Sequence, residues 1–308
     1  MNLKEEYKNF VESYEPFLWE YNKFEIRADF KNQHTFEQNF IRYFFIFKKL
    51  KELKNYLDDP KIIDVGSYPG SMIKLSKKVF VNFKKYISIG LDLNQEFIDE
   101  VKKFNVDCID TEIDPQFLNS KKQKKWNLSN YNLCLLLDTI EHLVNPIYCL
   151  DQINNSLQKD GYLLITTDNI TNIKYIKRMM LKGESPNVNY VLSSLIYKGN
   201  HRPHHREFSK NELEFLLNYS GFKILQHEYF DREQAKYFLK NKKLVKKFFF
   251  NPKLILSDLL NKFFNLVPHF RNHQIILAQK VNELSEVERF ETNSTKEWLD
   301  YRLKKIGY

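Results

Sequence analysis

One short segment, 61–70 (KIIDVGSYPG), constrains the fold of this chain more than any other. Its apolar residues surround the carboxylate Asp64, and a loop with Gly66, Ser67 and Gly70 follows. This order is typical of a buried parallel strand that leads through a turn into a helix. The glycines allow a ligand to approach the backbone, and the start of the helix offers free N–H groups. The segment therefore predicts a ligand site at the C-terminal end of the strand.

A second apolar run, 86–92, ends in another carboxylate, Asp92. Beside the glycine loop, this carboxylate can accept hydrogen bonds from both hydroxyl groups of a ribose. The loop does not read G-x-G-x-x-G, because bulky Tyr68 and rigid Pro69 stand where a pyrophosphate needs close access to the backbone. The pattern favours a nucleoside with a small polar tail, such as S-adenosylmethionine, over a dinucleotide.

Four motifs occur in an order that a known enzyme family shares. They read DVGSYPG, GLDLN, LLLDTIEHLVNP and LQKDGYLLITTDN, and the segment HHREFSKNELEFLLNYSGFKI follows them. In content and order they resemble the class I S-adenosylmethionine-dependent methyltransferases with a D-x-x-E-H-L motif, similar to small-molecule and sugar O-methyltransferases. The resemblance covers residues 61–229. It implies S-adenosylmethionine as cofactor, and it departs from the family pattern at Tyr68, where many relatives carry glycine.

Alternating strand and helix patterns predict an α/β fold, with a Rossmann-like, doubly wound sheet of seven strands. The predicted strands are 61–65, 86–92, 106–110, 131–138, 161–167, 222–230 and 274–280. The predicted units are an N-terminal helical cap over 1–59, a methyltransferase core over 60–230, a basic amphipathic helical insertion over 231–272, the last core strand over 273–281 and a helical tail over 282–308. We expect an insertion because the connection before the last strand is too long for a hairpin loop.

The composition limits the classes of binding partner and the cellular compartment that we expect for this chain. The net charge is +9 and the pI is near 9.1, but Lys and Asn are abundant throughout, so this balance points only weakly to a polyanionic partner. The first residues carry acids and no apolar core, so we expect no signal peptide, and no apolar run is long enough to span a membrane. Cys108, Cys134 and Cys149 form no C-x-x-C pair, which favours reduced thiols in a cytoplasmic protein.

The candidate cofactor-binding residues follow the predicted strands, because the ligand of an open parallel sheet lies outside the carboxyl ends of its strands. They are Asp64, Gly66, Ser67, Gly70, Asp92, Leu93, Asp110 and Asp138. Asp64 and Gly66 are expected at the amino-acid end of the cofactor, and Asp92 at its ribose. Asp110 is placed either to meet the adenine amino group or to shape a turn.

The motif after the fourth predicted strand suggests a metal site. If a helix begins there, Asp138, Glu141 and His142 share one face, and a later loop (NHRPHHREFS) adds three histidines, His201, His204 and His205. Some O-methyltransferases that resemble this chain carry E-x-x-E-H and a later histidine as a metal site. The predicted ligands of Mg²⁺ or Mn²⁺ are therefore Asp138, Glu141, His142 and His205. In other members of the superfamily the Glu and His cap or pack the helix without a metal, and this alternative stays open.

The predicted catalytic residues are His142, His205 and Glu141. The methyl group of a sulfonium is already electrophilic, so the enzyme mainly has to align the acceptor and exclude water. A hydroxyl acceptor also needs a base, for which histidine is well suited. With a bound metal, the ion would lower the pKa of the hydroxyl and the histidines would be its ligands. The histidine-rich loop thus favours O-methylation.

Several acceptors remain open at this point. A sugar or glycan intermediate of surface polysaccharide is our first expectation, by analogy of the GSYPG and HHREFS segments with methyltransferases of such pathways. A metal-dependent RNA 2′-O-methyltransferase is the alternative, supported by the charge and the metal-like pattern. A lipid or quinone acceptor would suit the basic amphipathic segment 240–266, which can contact a membrane surface or form a lid with solvated lysines. A non-enzymatic scaffold, in which Tyr68 blocks the cofactor, is the remaining alternative; no oligomeric state is predicted.

Overall fold

The computed structural model describes residues 3–13, 33–67, 70–90, 93, 95–114, 126–184, 204–231 and 267–287. Within these ranges the strands are β1 (Lys61–Val65), β2 (Lys85–Gly90), β3 (Val106–Asp110), β4 (Tyr131–Leu137), β5 (Leu157–Asp168), β6 (Phe222–Phe230) and β7 (His273–Lys280). The α-helices are α1 (Leu3–Ser13), α2 (Gln33–Leu53), α3 (Ser71–Val79), α4 (Gln95–Lys102), α5 (Pro146–Ser156), α6 (Ile173–Lys182) and α7 (Lys210–Tyr219). Single 3-10 turns lie at Ile140–His142, Pro268–Phe270 and Leu284–Glu286.

All seven strands belong to one sheet with the order β3-β2-β1-β4-β5-β7-β6. Strands β1 to β5 pair in parallel, and β7 runs antiparallel to both of its neighbours, β5 and β6. The predicted Rossmann-like α/β fold is confirmed. The chain order reverses between β1 and β4, and in such sheets this switch point opens a crevice at the carboxyl ends of the strands.

The strand ends differ from the prediction in ways that matter for the site. Strand β4 ends at Leu137 rather than at 138, because Asp138 has a positive φ of 45° and begins a turn. Strand β5 runs from Leu157 to Asp168, so it is longer at both ends than the predicted 161–167. Strand β2 ends at Gly90, and residues 91 and 92 lie outside the described ranges.

Two apolar layers cover the two faces of the sheet. Alternate residues of the central strands point to opposite faces, so Leu133 and Leu135 join one layer while Cys134 and Leu136 join the other. Helices α1, α2 and α3 cover the first face, and α5 and α7 cover the second. Buried apolar residues of α2 recur at helical spacing, which explains why this long helix lies on the sheet; they include Ile41, Phe44, Ile46, Leu50 and Leu53.

The connection between β6 and β7 leaves and re-enters the sheet at one place. Phe230, the last residue of β6, is the register partner of His273, the first residue of β7. Most of the predicted insertion 231–272, including the basic segment 240–266, lies outside the described ranges, as does the predicted tail after residue 287.

The helices and the cysteines of the described residues bear on two further expectations, membrane insertion and disulfide formation. No described helix has the length and apolarity that are needed to cross a bilayer. Cys134 and Cys149 are buried and Cys108 is half-buried, and all three are free thiols.

Candidate active site

A cleft opens at the switch point of the sheet, where the carboxyl ends of β1 and β4 face helix α2 and the start of α3. It encloses about 330 Å³ of empty space, part of it open to solvent. The cleft is lined by Arg42, Tyr43, Ile46, Asp64, Gly66, Ser67, Ser71, Met72 and Leu137. Three of the predicted cofactor-binding residues, Asp64, Gly66 and Ser67, therefore share one wall of the cleft.

Gly66 allows the loops after β1 and β4 to meet. Its φ is +72°, and its N–H donates a hydrogen bond of 2.8 Å to the carbonyl oxygen of Ile89. A Cβ at this position would lie 2.8 Å from Cγ2 of Thr139 and closer still to its Oγ1. Thr139 cannot move away easily, because its hydroxyl donates to the carbonyl oxygens of Val65 and Leu137 at 3.2 and 3.0 Å. Only glycine fits here.

The rest of the glycine loop leads into α3. The Ser67 hydroxyl hydrogen-bonds to the hydroxyl of Ser88 on β2. Gly70 has a φ of 92° and donates its N–H to the carbonyl oxygen of Ser67 at 2.6 Å, which closes the turn before the helix. Ser71 then begins α3 at the cleft, so the N-terminal end of this helix lies beside the same space. Tyr68 lies outside the described residues.

Asp64 is an unusual carboxylate, because it is only 1% exposed. Burial raises its pKa to about 7, although a hydrogen bond of 2.8 Å from the Tyr86 hydroxyl opposes this shift. A cationic group of a ligand beside Asp64 would favour its ionised form. This property suits the predicted role of Asp64 at the amino-acid end of the cofactor.

The remaining predicted cofactor residues lie beyond β2 and β3. Asp92 is outside the described residues. Leu93 packs its side chain on Gly90, where an added Cβ would lie 2.7 Å from Leu93 Cδ2. Asp110 ends β3 and is exposed. The contacts of all three with a cofactor stay predictions.

Asp138 is held by groups that the sequence did not indicate. One carboxylate oxygen forms an ion pair with Arg42 of α2, and the other accepts a hydrogen bond of 2.6 Å from the Thr166 hydroxyl. Burial acts to lower the pKa of Arg42, but the charge of Asp138 and the neighbouring Tyr43 outweigh it and raise the pKa above its usual value. Asp138 thus ties α2 to the ends of β4 and β5.

The predicted helix at 138–142 is wrong. The chain forms one 3-10 turn, Ile140–His142, and α5 begins only at Pro146. Because Asp138 precedes this turn with a positive φ, it does not share a helical face with Glu141 and His142. Among the described residues, the groups with metal-ligand spacing do not include Asp138, and its role as a metal ligand stays a prediction.

A cluster of acids and imidazoles lies at the C-terminal edge of the sheet. We call it the histidine–carboxylate cluster; its members are Glu141, His142, Asp168, His204, Glu207 and His273. Nδ1 of His204 lies 3.4 Å from Oδ2 of Asp168 and 3.9 Å from Oε1 of Glu207. Nδ1 of His273 lies 3.0 Å from Oδ1 of Asp168. The rings of His142 and His204 meet edge to face, with 4.6 Å between their centroids.

Neighbouring hydroxyl and backbone groups hold the cluster in place. The Thr167 hydroxyl donates to Oε2 of Glu141 at 2.8 Å, and the Tyr175 hydroxyl donates to Oε1 of Glu207 at 2.7 Å. The segment before α7 is fixed by its backbone, since the N–H of His205 donates to the carbonyl oxygen of Glu141 at 2.7 Å. This bond sets His204 against the 3-10 turn.

The cluster strongly perturbs the acidity of its members. Burial, followed by the charges of Asp138 and Asp168, raises the pKa of Glu141 to about 8. Burial acts to lower the pKa of His204, but the nearby carboxylates of Glu207, Glu141 and Asp168 raise it to about 9. The cluster thus favours the imidazolium form of His204 and the protonated form of Glu141.

Only some of the predicted catalytic and metal-binding residues belong to the histidine–carboxylate cluster. Glu141 and His142 lie in the cluster, but the third group with ligand spacing is His204 rather than His205. His205 adjoins Glu141 through its backbone, and its role as a metal ligand stays a prediction. Asp168 was missed, although it is the last residue of β5, as Asp110 is of β3. His201 lies outside the described residues.

Comparison with known proteins decides the family. The sequence model of a family described as a methyltransferase domain matches residues 31–227, which is more than half of the chain. The chain belongs to this methyltransferase family. It is a methyltransferase, and its dependence on S-adenosylmethionine is what the resemblance of its motifs implies. No curated protein matches the sequence of this chain.

Solved structures of similar fold come from several organisms. A candidate methyltransferase from Bacillus halodurans C-125 shares 15% identity with a TM-score of 0.46, covering 77% of this chain and 99% of its own. An S-adenosylmethionine-dependent methyltransferase from Archaeoglobus fulgidus shares 15% identity with a TM-score of 0.47, covering 84% and 99%. One from Mesorhizobium loti shares 12% identity with a TM-score of 0.43, covering 74% and 95%. Similarity at this level says nothing about the acceptor.

The cleft has the chemistry that S-adenosylmethionine requires. A buried carboxylate, Asp64, can pair with a cationic group, and Ser67 and the start of α3 offer hydrogen-bond donors to a carboxylate. Gly66 and Gly70 keep the approach open. These residues are the ones that fit the amino-acid end of the cofactor.

Proposed function

We propose that this methyltransferase acts on a hydroxyl group of a sugar or glycan intermediate. The observation that carries the proposal is the histidine–carboxylate cluster, which extends from the loop after β4, beside the cofactor cleft. Methylation of a hydroxyl group needs a partner for the departing proton, whereas a neutral amine has a lone pair ready to react. A cluster of imidazoles and carboxylates supplies such a partner.

The cofactor contributes a methyl group on a positively charged sulfur. When bound, it would supply an electrophilic methyl group, and the proton of the acceptor hydroxyl would have to pass to a base of this chain. Asp64, Gly66, Ser67 and Asp92 would hold and orient the donor. Alignment of the acceptor with the methyl group would supply most of the rate.

His142 is the proposed base. It lies next to Glu141 in the 3-10 turn and is half-buried, whereas Glu141 is only 1% exposed and less accessible to an acceptor. Glu141 and His204 would position its ring. His205, which is also half-buried beside the cluster, is proposed to contact the acceptor.

The first test combines cofactor binding with identification of the product. Full-length protein is titrated with S-adenosylhomocysteine and then incubated with ¹³C-methyl-labelled S-adenosylmethionine and glycan or sugar-nucleotide acceptors. We expect binding, and a product with the carbon shift of a methyl ether. His142→Gln should bind the cofactor normally but lose at least about 100-fold in kcat, because it lacks the base. His227→Gln, on β6, is the matched control. An N-methyl product, or full activity of His142→Gln, would contradict the proposal.

A hydroxyl group of RNA is the second candidate acceptor. The net charge of +9 favours it, since phosphate contacts by lysines release counterions. Binding of an RNA oligonucleotide that weakens steeply between 50 and 200 mM salt, together with 2′-O-methyl product, would favour this acceptor. A lipid or quinone acceptor rests on the segment 240–266 and would appear as activity only with vesicles. The free thiols support a cytoplasmic location.

A further inference from the structure

Helix α6 projects from the edge of the sheet that carries the candidate active site. It follows the C-terminal end of β5 after a short turn. None of its ten residues is buried, and none joins either apolar layer of the described chain. Gly183, directly after the helix, has no neighbour within 4 Å of an added Cβ. The C-terminal end of α6 is therefore surrounded by open space.

This end of the helix exposes three apolar side chains in succession. Met179, Met180 and Leu181 are 50%, 79% and 73% exposed. Successive side chains of an α-helix point about 100° apart, so these three spread over about 200° of the circumference. Single exposed apolar side chains are common on proteins, but three in a row mark a contact surface.

Exposed cations surround these apolar side chains. Helix α6 contains no acid and four cations: Lys174, Lys177, Arg178 and Lys182. Glu184, just after the helix, pairs with Arg178 at 2.8 Å and with Lys182 at 3.8 Å, which leaves a net charge of +3 over residues 173–184. Apolar side chains beside cations with long aliphatic stems match a bilayer surface, where acyl chains lie beneath anionic headgroups.

The beginning of α6, in contrast, is firmly attached to the candidate active site. The Asn172 side chain accepts a hydrogen bond of 3.1 Å from the N–H of Tyr175 and so caps the helix. The Tyr175 hydroxyl donates to Oε1 of Glu207, in the histidine–carboxylate cluster, at 2.7 Å. The Asn169 side chain donates to two carbonyl oxygens before β7 at 2.8 Å each. A contact at the far end of α6 would therefore orient the whole edge of the sheet.

We propose that the projecting end of α6, residues 177–182, docks the protein on an anionic phospholipid surface. The three apolar side chains enter the boundary between headgroups and acyl chains, and the cations contact lipid phosphates. A fluid bilayer accommodates a convex end with flexible methionines. A nucleic acid would attract the cations but leave the apolar side chains in water. Docking turns the candidate active site toward the bilayer, and the proposal does not depend on which acceptor is methylated.

The test is co-sedimentation of the full-length protein, without a histidine tag, with lipid vesicles. We expect the protein to bind vesicles that contain phosphatidylglycerol at least about tenfold more tightly than vesicles of phosphatidylcholine alone, and more weakly as salt is raised. The double variant Met180→Ser and Leu181→Ser should lose at least about tenfold in affinity, as should Lys177→Gln with Lys182→Gln. Because these side chains are exposed, the thermal unfolding midpoint should not change.

The matched control places the same changes at the opposite edge of the sheet. Val81 is 77% exposed and Lys84 is also exposed, in the connection that leads into β2. Val81→Ser with Lys84→Gln should bind the vesicles as the unaltered protein does. An equal loss in this control, or full binding by the α6 variants, would overturn the proposal and assign vesicle binding to another segment, such as 240–266.

Two other partners are separated by the same variants. Binding of an RNA oligonucleotide without binding of vesicles would overturn the proposal, and so would self-association that Met180→Ser and Leu181→Ser abolish without any vesicle binding. Insertion itself is measured with Met180→Cys carrying an environment-sensitive fluorophore, after subtraction of the labelled native thiols of the unaltered protein. Its emission should shift to the blue with anionic vesicles; an unchanged emission contradicts the docking.

Discussion

At the scale of single residues, Gly66 controls whether the cofactor cleft can form. Gly66 has a positive φ and lies close to Thr139. A side chain at this position would therefore be unfavourable for two separate reasons, the strained backbone and the clash with Thr139. Gly183, at the end of α6, has a similar φ of +65° but no neighbour within 4 Å of an added Cβ. The two glycines therefore allow the cost of the backbone conformation to be separated from the cost of the clash.

Gly66→Ala should destabilise the protein by about 3 kcal/mol or more, and Gly183→Ala by about 1 kcal/mol, since only the first creates a clash in addition to the strained φ. Urea denaturation of both variants measures the difference. Adding Thr139→Ala to Gly66→Ala should recover part of the loss, because it removes the atoms nearest to the new Cβ. Equal losses in the two single variants would mean that Thr139 is not the obstacle.

Asp64 makes a second prediction at this scale. Its pKa rises from 3.8 to about 7 on folding, so between these values the folded protein binds a proton that the unfolded chain has released. Stability then falls as pH rises through this window, by roughly 1 kcal/mol per pH unit, and levels off above pH 7. Asp64→Asn removes the charge and should become progressively more stable than the unaltered protein from pH 4 to about 7.

Urea denaturation at several pH values checks this slope. Tyr86→Phe provides the contrasting variant, because loss of its hydrogen bond should raise the pKa of Asp64 further and extend the decline above pH 7. If the difference in stability between Asp64→Asn and the unaltered protein does not vary with pH, Asp64 stays ionised in the folded protein.

At the scale of secondary-structure elements, the ion pair between Arg42 and Asp138 joins α2 to the switch point of the sheet. The side chains are 20% and 13% exposed, so solvent screens the pair only in part. Removing one partner leaves the other charge poorly compensated. The pair also explains why a long N-terminal helix forms a wall of the cofactor cleft.

Arg42→Met and Asp138→Asn should each destabilise the protein by about 2 kcal/mol. The double variant should lose clearly less than the sum of the two, because neither charge is then left alone. Chemical denaturation of the four proteins gives the coupling energy. Strict additivity would mean that the two side chains do not interact in solution. Binding of S-adenosylhomocysteine to each variant shows how far the wall depends on the pair.

The secondary-structure elements also show which features local sequence patterns predict and which depend on distant residues. Local patterns predicted every strand of the sheet, since apolar runs and turn residues act over a few positions. The spacing of Asp138, Glu141 and His142 equally suggested a helix, but a positive φ and a distant arginine produced a 3-10 turn. The ring of His204, rather than that of His205, lies within ligand distance of Glu141 and His142. This placement depends on the hydrogen bond from the N–H of His205 to the carbonyl oxygen of Glu141, which links residues far apart in sequence.

At the scale of the whole molecule, the sheet order places two candidate sites on one edge. The switch point between β1 and β4 holds the candidate cofactor cleft, and the end of β5 and the start of β7 bring Asp168 and His273 into the adjacent cluster. Motif order was sufficient to predict the methyltransferase fold. The position of β7 between β5 and β6 was not predicted, because antiparallel pairing of distant segments leaves no local pattern.

The register pairing of Phe230 with His273 has a consequence for the evolution of the enzyme. The long connection 231–272 starts and finishes at adjacent positions, on the edge of the sheet that carries the histidine–carboxylate cluster. Its length and sequence can therefore diverge without any strand losing a partner.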